Sequence, residues 1–137
     1  MRIFRTLLAA SVGAATLGLG LALPASAAPA APQANWDCPA DSLCVYANSN
    51  GNGFIGSIAG PSVFSNLGAV GQGDKVSSAR NTGSSTGVLW DFDSVDGCWD
   101  LLLTIAPGTE VNVPAVDNDR TDAISHNGYN PPNVCNV

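Results

Sequence analysis

Cys44-Val45-Tyr46-Ala47-Asn48, then a Gly/Asn turn, then Gly73-Asp74-Lys75-Val76-Ser77-Ser78: this stretch decides the fold, because the chain repeats its plan. The second copy runs Val88-Leu89-Trp90-Asp91-Phe92, a Gly turn, and Asn118-Asp119-Arg120-Thr121-Asp122-Ala123. Tyr46 precedes Asp74 by 28 residues, and Trp90 precedes Asp119 by 29. The copies are offset by 44 residues at the aromatic and by 45 at the Asp-Lys/Arg pair. A period of that length marks one supersecondary unit used twice.

Around these segments the strand signals dominate. Leu43 to Ala47 is a short apolar run, Asn50-Gly51-Asn52-Gly53 is a turn whose residues tolerate positive φ, and Phe54 to Ile58 is the return strand. Ser62 to Val70 reads as one helical turn or an irregular loop, and Lys75 to Arg80 as a further strand. Asn81 to Gly87 is a Gly/Ser/Thr linker between halves of about 36–81 and 88–128. In the second half, Val88 to Phe92 is a strand and Asp93 to Gly97 a turn. Trp99, Leu101, Leu103 and Ile105 then alternate with Asp100, Leu102 and Thr104 as a half-buried strand. Pro107-Gly108 turns the chain, Glu110 to Val113 is extended, and Asn118 to Ser125 leads to the Asn127-Gly128 turn. Many short strands with Gly-rich turns predict an all-β sandwich of two Greek-key motifs packed face to face.

The first 27 residues stand outside this plan. Arg2 and Arg5 precede the apolar run Leu7–Leu23, which ends in Pro24 and the small-residue site Ala25-Ser26-Ala27. We expect a cleaved secretory signal, because 17 apolar residues are short for a membrane span. The mature chain then begins near Ala28 with a flexible leader, 28–35, and forms a single domain over 36–137. All 11 acidic residues lie after position 36, against Lys75, Arg80 and Arg120, so the mature net charge is −8. Such a surface repels phosphate backbones and argues against nucleic-acid binding. It favours solubility and can attract cations or a basic partner, although a plain solvated acidic surface is the commoner reading. The expected product is secreted, free of the membrane after cleavage, and monomeric.

Four cysteines in an exported chain imply two disulfides, with three pairings open. The short loop between Cys38 and Cys44 favours pairing those two, which leaves Cys98 with Cys135. Zinc is a poor fit, because there is no CxxC and the one histidine is His126. His126, beside Asn127-Gly128, reads as an exposed turn residue. Asp91, Asp93, Asp96 and Asp100 lie close together, yet nothing marks an acid–base pair among them, and no G-x-S-x-G elbow is present. We expect no enzymatic activity.

Cys38-Pro39-Ala40-Asp41-Ser42-Leu43-Cys44-Val45-Tyr46 resembles the opening of secreted bacterial metalloproteinase inhibitors with a βγ-crystallin-like fold. Asp74-Lys75-Val76-Ser77-Ser78, Asn118-Asp119-Arg120 and Ile105-Ala106-Pro107-Gly108 extend the likeness over about residues 37–127. The resemblance implies a peptidase inhibitor that binds an extracellular protease, of the thermolysin-type metallopeptidase class. In that family the protease-contacting bond sits on a second-half loop pinned by a short local disulfide. Cys98 resembles the second cysteine of that loop, and the first has no counterpart in Asp93 to Gly97. The implied inhibitory loop is Val95, Asp96, Gly97, Cys98 and Trp99, although Trp99 reads preferentially as a core aromatic on its strand. The alternative is a βγ-crystallin module that binds calcium or a surface without inhibiting. Its motif, [ND]-[ND]-x-x-[ST]-Ser, supplies hard oxygens. The first copy keeps Asp74, Ser77 and Ser78 but has Gly73 where an acid or amide belongs. The second keeps Asn118 and Asp119 but has Asp122, which still offers oxygen, and Ala123, which cannot, in place of two hydroxyl residues. No cofactor is required, and calcium is the one metal suggested.

Overall fold

The computed structural model describes residues 33–60, 63–126 and 128–135. The expected signal, 1–27, and positions 28–32 of the leader lie outside the described residues, as do Pro61, Ser62 and Asn127 of the expected Asn127-Gly128 turn. Eight strands occur among the described residues: β1 (Ser42–Tyr46), β2 (Phe54–Ala59), β3 (Phe64–Asn66), β4 (Ser78–Asn81), β5 (Gly87–Asp93), β6 (Cys98–Ile105), β7 (Glu110–Asn112) and β8 (Ala123–Ser125). They form two four-stranded antiparallel sheets, ordered β2-β1-β4-β7 and β3-β8-β5-β6.

The order shows an exchange. Each Greek key sends its third strand, β3 or β7, to the edge of the other sheet. Those strands are three residues long. A strand that short carries little pairing of its own, so each is held by the sheet that receives it. The halves are thereby interlocked.

The repeat becomes geometry at the seam between them. Asp74 and Asp119, the matching residues of the two copies, share a left-handed φ of 56°. The Asp74 amide donates to the Thr121 carbonyl at 3.1 Å, and the Asp119 amide donates to the Val76 carbonyl at 3.2 Å. Likewise the Ser77 amide donates to Tyr46 at 2.9 Å and the Asp122 amide to Trp90 at 2.8 Å. The first pair crosses between the copies and the second pair repeats within each, both at equivalent positions, as an approximate two-fold axis requires.

Between the sheets, Leu43, Val45, Ile58, Leu67, Val76, Ala79, Leu89, Ile105, Val113 and Ile124 form the core. Each sheet also buries an outer aromatic layer. On the first, Tyr46 packs edge-on against Trp36 (5.7 Å) and Phe54 (5.9 Å), beside the Cys38–Cys44 disulfide. On the second, Trp99 meets Phe64 (5.7 Å) and Phe92 (5.0 Å), near the Cys98–Cys135 disulfide. The two disulfides are the pairing expected from the short Cys38–Cys44 loop.

Four sequence expectations need correction. The alternation along β6 breaks, because Leu89 pairs with Leu103 while Trp90 pairs with Leu101. Leu102 is therefore the extra residue of a β-bulge. Leu101 turns outward, 52% exposed, and Leu102 and Leu103 both pack against the core. The strand expected over Lys75 to Arg80 forms only from Ser78, since Asp74 turns the chain through its positive φ and Lys75 bonds the Gly71 carbonyl. The described part of the segment expected as one helical turn or an irregular loop, 63–70, does hold a helical turn, the 3₁₀ turn Gly68–Val70, but it also contributes a strand, β3, that the sequence did not suggest. His126 is buried, not an exposed turn residue. Its Nε2 faces Asn81 Oδ1 at 3.3 Å, and its ring rests against Gly83, where a Cβ would come within 2.6 Å.

Candidate functional site

The β5–β6 hairpin carries the expected inhibitory loop at its tip. Ser94 to Gly97 form a four-residue turn between paired Asp93 and Cys98. Asp93 builds the turn: its Oδ1 accepts from the Val95 amide at 2.7 Å and the Asp96 amide at 3.2 Å, and its carbonyl accepts from Gly97 at 2.8 Å. This is the local side-chain-to-backbone bonding that Asp favours in turns. Gly97 closes the turn at φ 68°, a conformation costly for residues with a Cβ. Val95 is left projecting, 90% exposed. The backbone here is a tight turn rather than an extended strand.

The base of the hairpin is fixed from the C-terminal side. Cys98 is bonded to Cys135, the Trp99 amide donates to Asn133 at 2.9 Å, and the Cys135 amide donates back to Trp99 at 2.9 Å. Trp99 and Val134 form a parallel bridge. The tether missing within Asp93 to Gly97 is thus supplied by a segment more than 30 residues downstream. Trp99 itself is buried in the aromatic layer, so of the five loop residues Val95, Asp96 and Gly97 are outward and Cys98 and Trp99 are structural.

The four residues of the expected calcium motif separate into two groups. Ser77 Oγ donates to Asp119 Oδ1 at 3.3 Å. Asp74 and Asp122 join Asp91 instead, with one carboxylate oxygen from each lying within 4.8 Å of the others. Asp91 is held by Arg120, with Nη2 to Oδ2 at 2.6 Å. Burial raises the pKa of Asp122; the Phe92 amide, donating to its Oδ2 at 3.3 Å, opposes that, and the charges of Asp74 and Asp91 add to it. Sequence reasoning grouped Asp91 with the neighbouring acids Asp93, Asp96 and Asp100 and found no pair among them. Its strand position directly after Trp90, whose carbonyl receives the Asp122 amide, is the signal that brings it to Asp122.

Beside this cluster an open cavity of about 290 Å³ is lined by Asn66, Gly68, Ala69, Phe92, Trp99 and Asp122. It lies between the hairpin base and the 3₁₀ turn, with an aromatic floor and one carboxylate in its wall.

Set beside known proteins, residues 31–102 match the model of peptidase inhibitor family I36. A solved structure described as "Evolution of the eye lens beta-gamma-crystallin domain fold" aligns at 19% identity and a TM-score of 0.50, covering 67% of this chain and 91% of that one. A βγ-crystallin domain from Flavobacterium johnsoniae aligns at 24% identity and TM-score 0.45, covering 64% and 98%. Spherulin 3A from Physarum polycephalum aligns at 18% and 0.47, covering 69% and 91%. No individually curated protein is matched. The fold is accordingly that of a βγ-crystallin domain, as the exchanged double Greek key requires.

Proposed function

Because this chain belongs to peptidase inhibitor family I36, we propose that it is a secreted protein that inhibits an extracellular peptidase through the tip of its β5–β6 hairpin. The observation that carries this is the geometry of Val95, a lone exposed apolar side chain on a turn tethered on both sides. A preorganised tip loses little conformational entropy on binding, and a fixed backbone resists the distortion that cleavage needs. The likeness to metalloproteinase inhibitors supports a thermolysin-type target, and the apolar Val95 supports an apolar subsite in it. Asp96 and Gly97 shape the tip, while Cys98 and Trp99 anchor it. We read the role as binding and not catalysis, with one copy of the chain sufficing.

Export fits this reading. Both disulfides need an oxidising compartment, and residues 1–27 have the composition of a removable signal. The experiment is an assay of the disulfide-intact mature protein against a panel of secreted metallo- and serine peptidases. Inhibition at micromolar concentration or below supports the proposal; none across the panel overturns it.

One observation favours calcium binding as a second reading: the convergence of Asp74, Asp91 and Asp122. Calcium takes six to eight hard oxygens. Asp74 and Asp122 would hold it with Asp91 as a third ligand, while Ser77 and Asp119 lie apart from these three, bonded to each other. Titration calorimetry of the metal-free protein tests this. No heat and no change in melting temperature at millimolar calcium would remove the reading.

A further inference from the structure

The cavity under the hairpin has the composition of a cation site. Its floor is Phe92 and Trp99, with ring centroids 5.0 Å apart and planes tilted by 57°, and Phe64 braces Trp99 edge-on from behind. Aromatic faces attract a guanidinium through their quadrupoles, most strongly for tryptophan. In the wall, Asp122 Oδ2 takes the Phe92 amide, which leaves Oδ1 with acceptor capacity. The loop backbone flanks Oδ1 closely: a Cβ at Gly73 would come within 2.2 Å of it and one at Gly68 within 3.3 Å, so only glycine fits beside the carboxylate. Asn66 Oδ1 accepts from the Ala69 amide at 2.9 Å, which fixes the turn forming the opposite wall.

The charge balance at the mouth is negative. Three carboxylates converge, and of these three only Asp91 has an ion-pair partner among the described residues, Arg120, which also pairs with Asp117. Asp74 and Asp122 have none there. Lys75 directs its ammonium to the Gly71 carbonyl at 2.6 Å. A volume of about 290 Å³ is at the lower limit for ligand pockets, so it suits one side chain rather than a larger molecule.

We propose that this cavity is a socket for an arginine side chain on the partner protein. The guanidinium stacks on Phe92 and Trp99 and donates to Asp122 Oδ1, with Asp74 adding attraction at the mouth. A planar fork suits this better than an ammonium, because it stacks and hydrogen-bonds together. The inference relies on the inhibitor reading only for who carries the arginine. The cavity lies beside the same hairpin, so a peptidase that receives Val95 presents its rim to this socket.

The test uses the full mature chain and a blocked arginine, N-acetyl-arginine N-methylamide, followed by two-dimensional NMR. The expected result is a saturable shift of the Trp99 indole and Phe92 amide signals that weakens with added salt. The neutral citrulline analogue should bind at least about tenfold more weakly, as should the Asp122→Asn variant, since a charge-assisted bond is lost. Ala69→Trp, at an exposed lining position, should abolish the shifts without disturbing the core, which keeps the test valid if Asp122→Asn fails to fold. Equal binding of citrulline, or shifts unaffected by Ala69→Trp, would overturn the socket. Calcium producing the same shifts at equal concentration would also overturn it, in favour of a metal site. No peptidase takes part in this titration. Its failure leaves the inhibitor reading standing, and a failed inhibition panel leaves the socket standing.

Discussion

Removing the Cys98–Cys135 disulfide by Cys98→Ser with Cys135→Ser should be the most costly staple deletion in the molecule. The bond joins residues 37 apart, against 6 for Cys38–Cys44. In the chain-entropy model a 37-residue closure stabilises by about 4 kcal/mol and a 6-residue closure by about 2 kcal/mol. At roughly 4–8 °C per kcal/mol for a domain of this size, the first deletion should lower Tm by about 15–30 °C and the second by about half as much. The first deletion also acts on the site. With the bond gone, the Trp99–Asn133 and Cys135–Trp99 hydrogen bonds are left to tie the C-terminal segment to the hairpin base. The variant should therefore inhibit more weakly than wild type, measured well below its own Tm, and should be cut between Ser94 and Gly97. Calorimetry gives Tm, and mass spectrometry after incubation with the target peptidase gives the cut site. The reasoning is refuted if losing Cys38–Cys44 costs as much, or if the Cys98/Cys135 variant inhibits undiminished and stays uncut.

Further outcomes follow from the same geometry. Burial raises the Asp122 pKa above its ordinary value of 3.8, so the folded state holds that proton more tightly than the unfolded one. Its contribution is present below that value and is lost as pH rises through the raised folded pKa. Asp122→Asn lacks this loss, so the Tm of wild type minus that of the variant should fall between pH 3 and pH 7; a flat or rising difference contradicts the assignment. Gly83→Ala places a Cβ within 2.6 Å of the buried His126 ring, and chemical denaturation should show a loss of about 1–3 kcal/mol. A fragment spanning residues 33–86 lacks β7 and leaves β3 without β8, so circular dichroism should show it unfolded, whereas independently folding halves would give a strand spectrum.

The sequence made the double Greek key legible because the repeat falls on residues that set backbone geometry. Asp74 and Asp119 are matching positions with the same positive φ, and Tyr46 and Trp90 receive equivalent hydrogen bonds, each within its own half. The strand exchange was not legible. β3 and β7 are three residues long and carry too little periodicity to reveal which sheet they join. The bulge at Leu102 was hidden by an alternation that is regular in sequence and broken only by pairing. His126 looked like a turn residue because its burial depends on Gly83 and Asn81, more than 40 residues away. The hairpin tip was visible as Asp93 to Gly97, but its tether was not visible as such, since it arrives from Asn133 to Cys135. The acidic cluster was half visible. Asp74 and Asp122 came from the repeat, while Asp91 enters through strand pairing.

The claim that the hairpin tip makes the inhibitory contact is tested most directly by Val95→Asp. The side chain is 90% exposed and supports nothing in the fold, so Tm should move by no more than about 4 °C. The inhibition constant against the target peptidase is the measurement. A central contact predicts a rise of at least about 30-fold, and an unchanged constant would contradict the account.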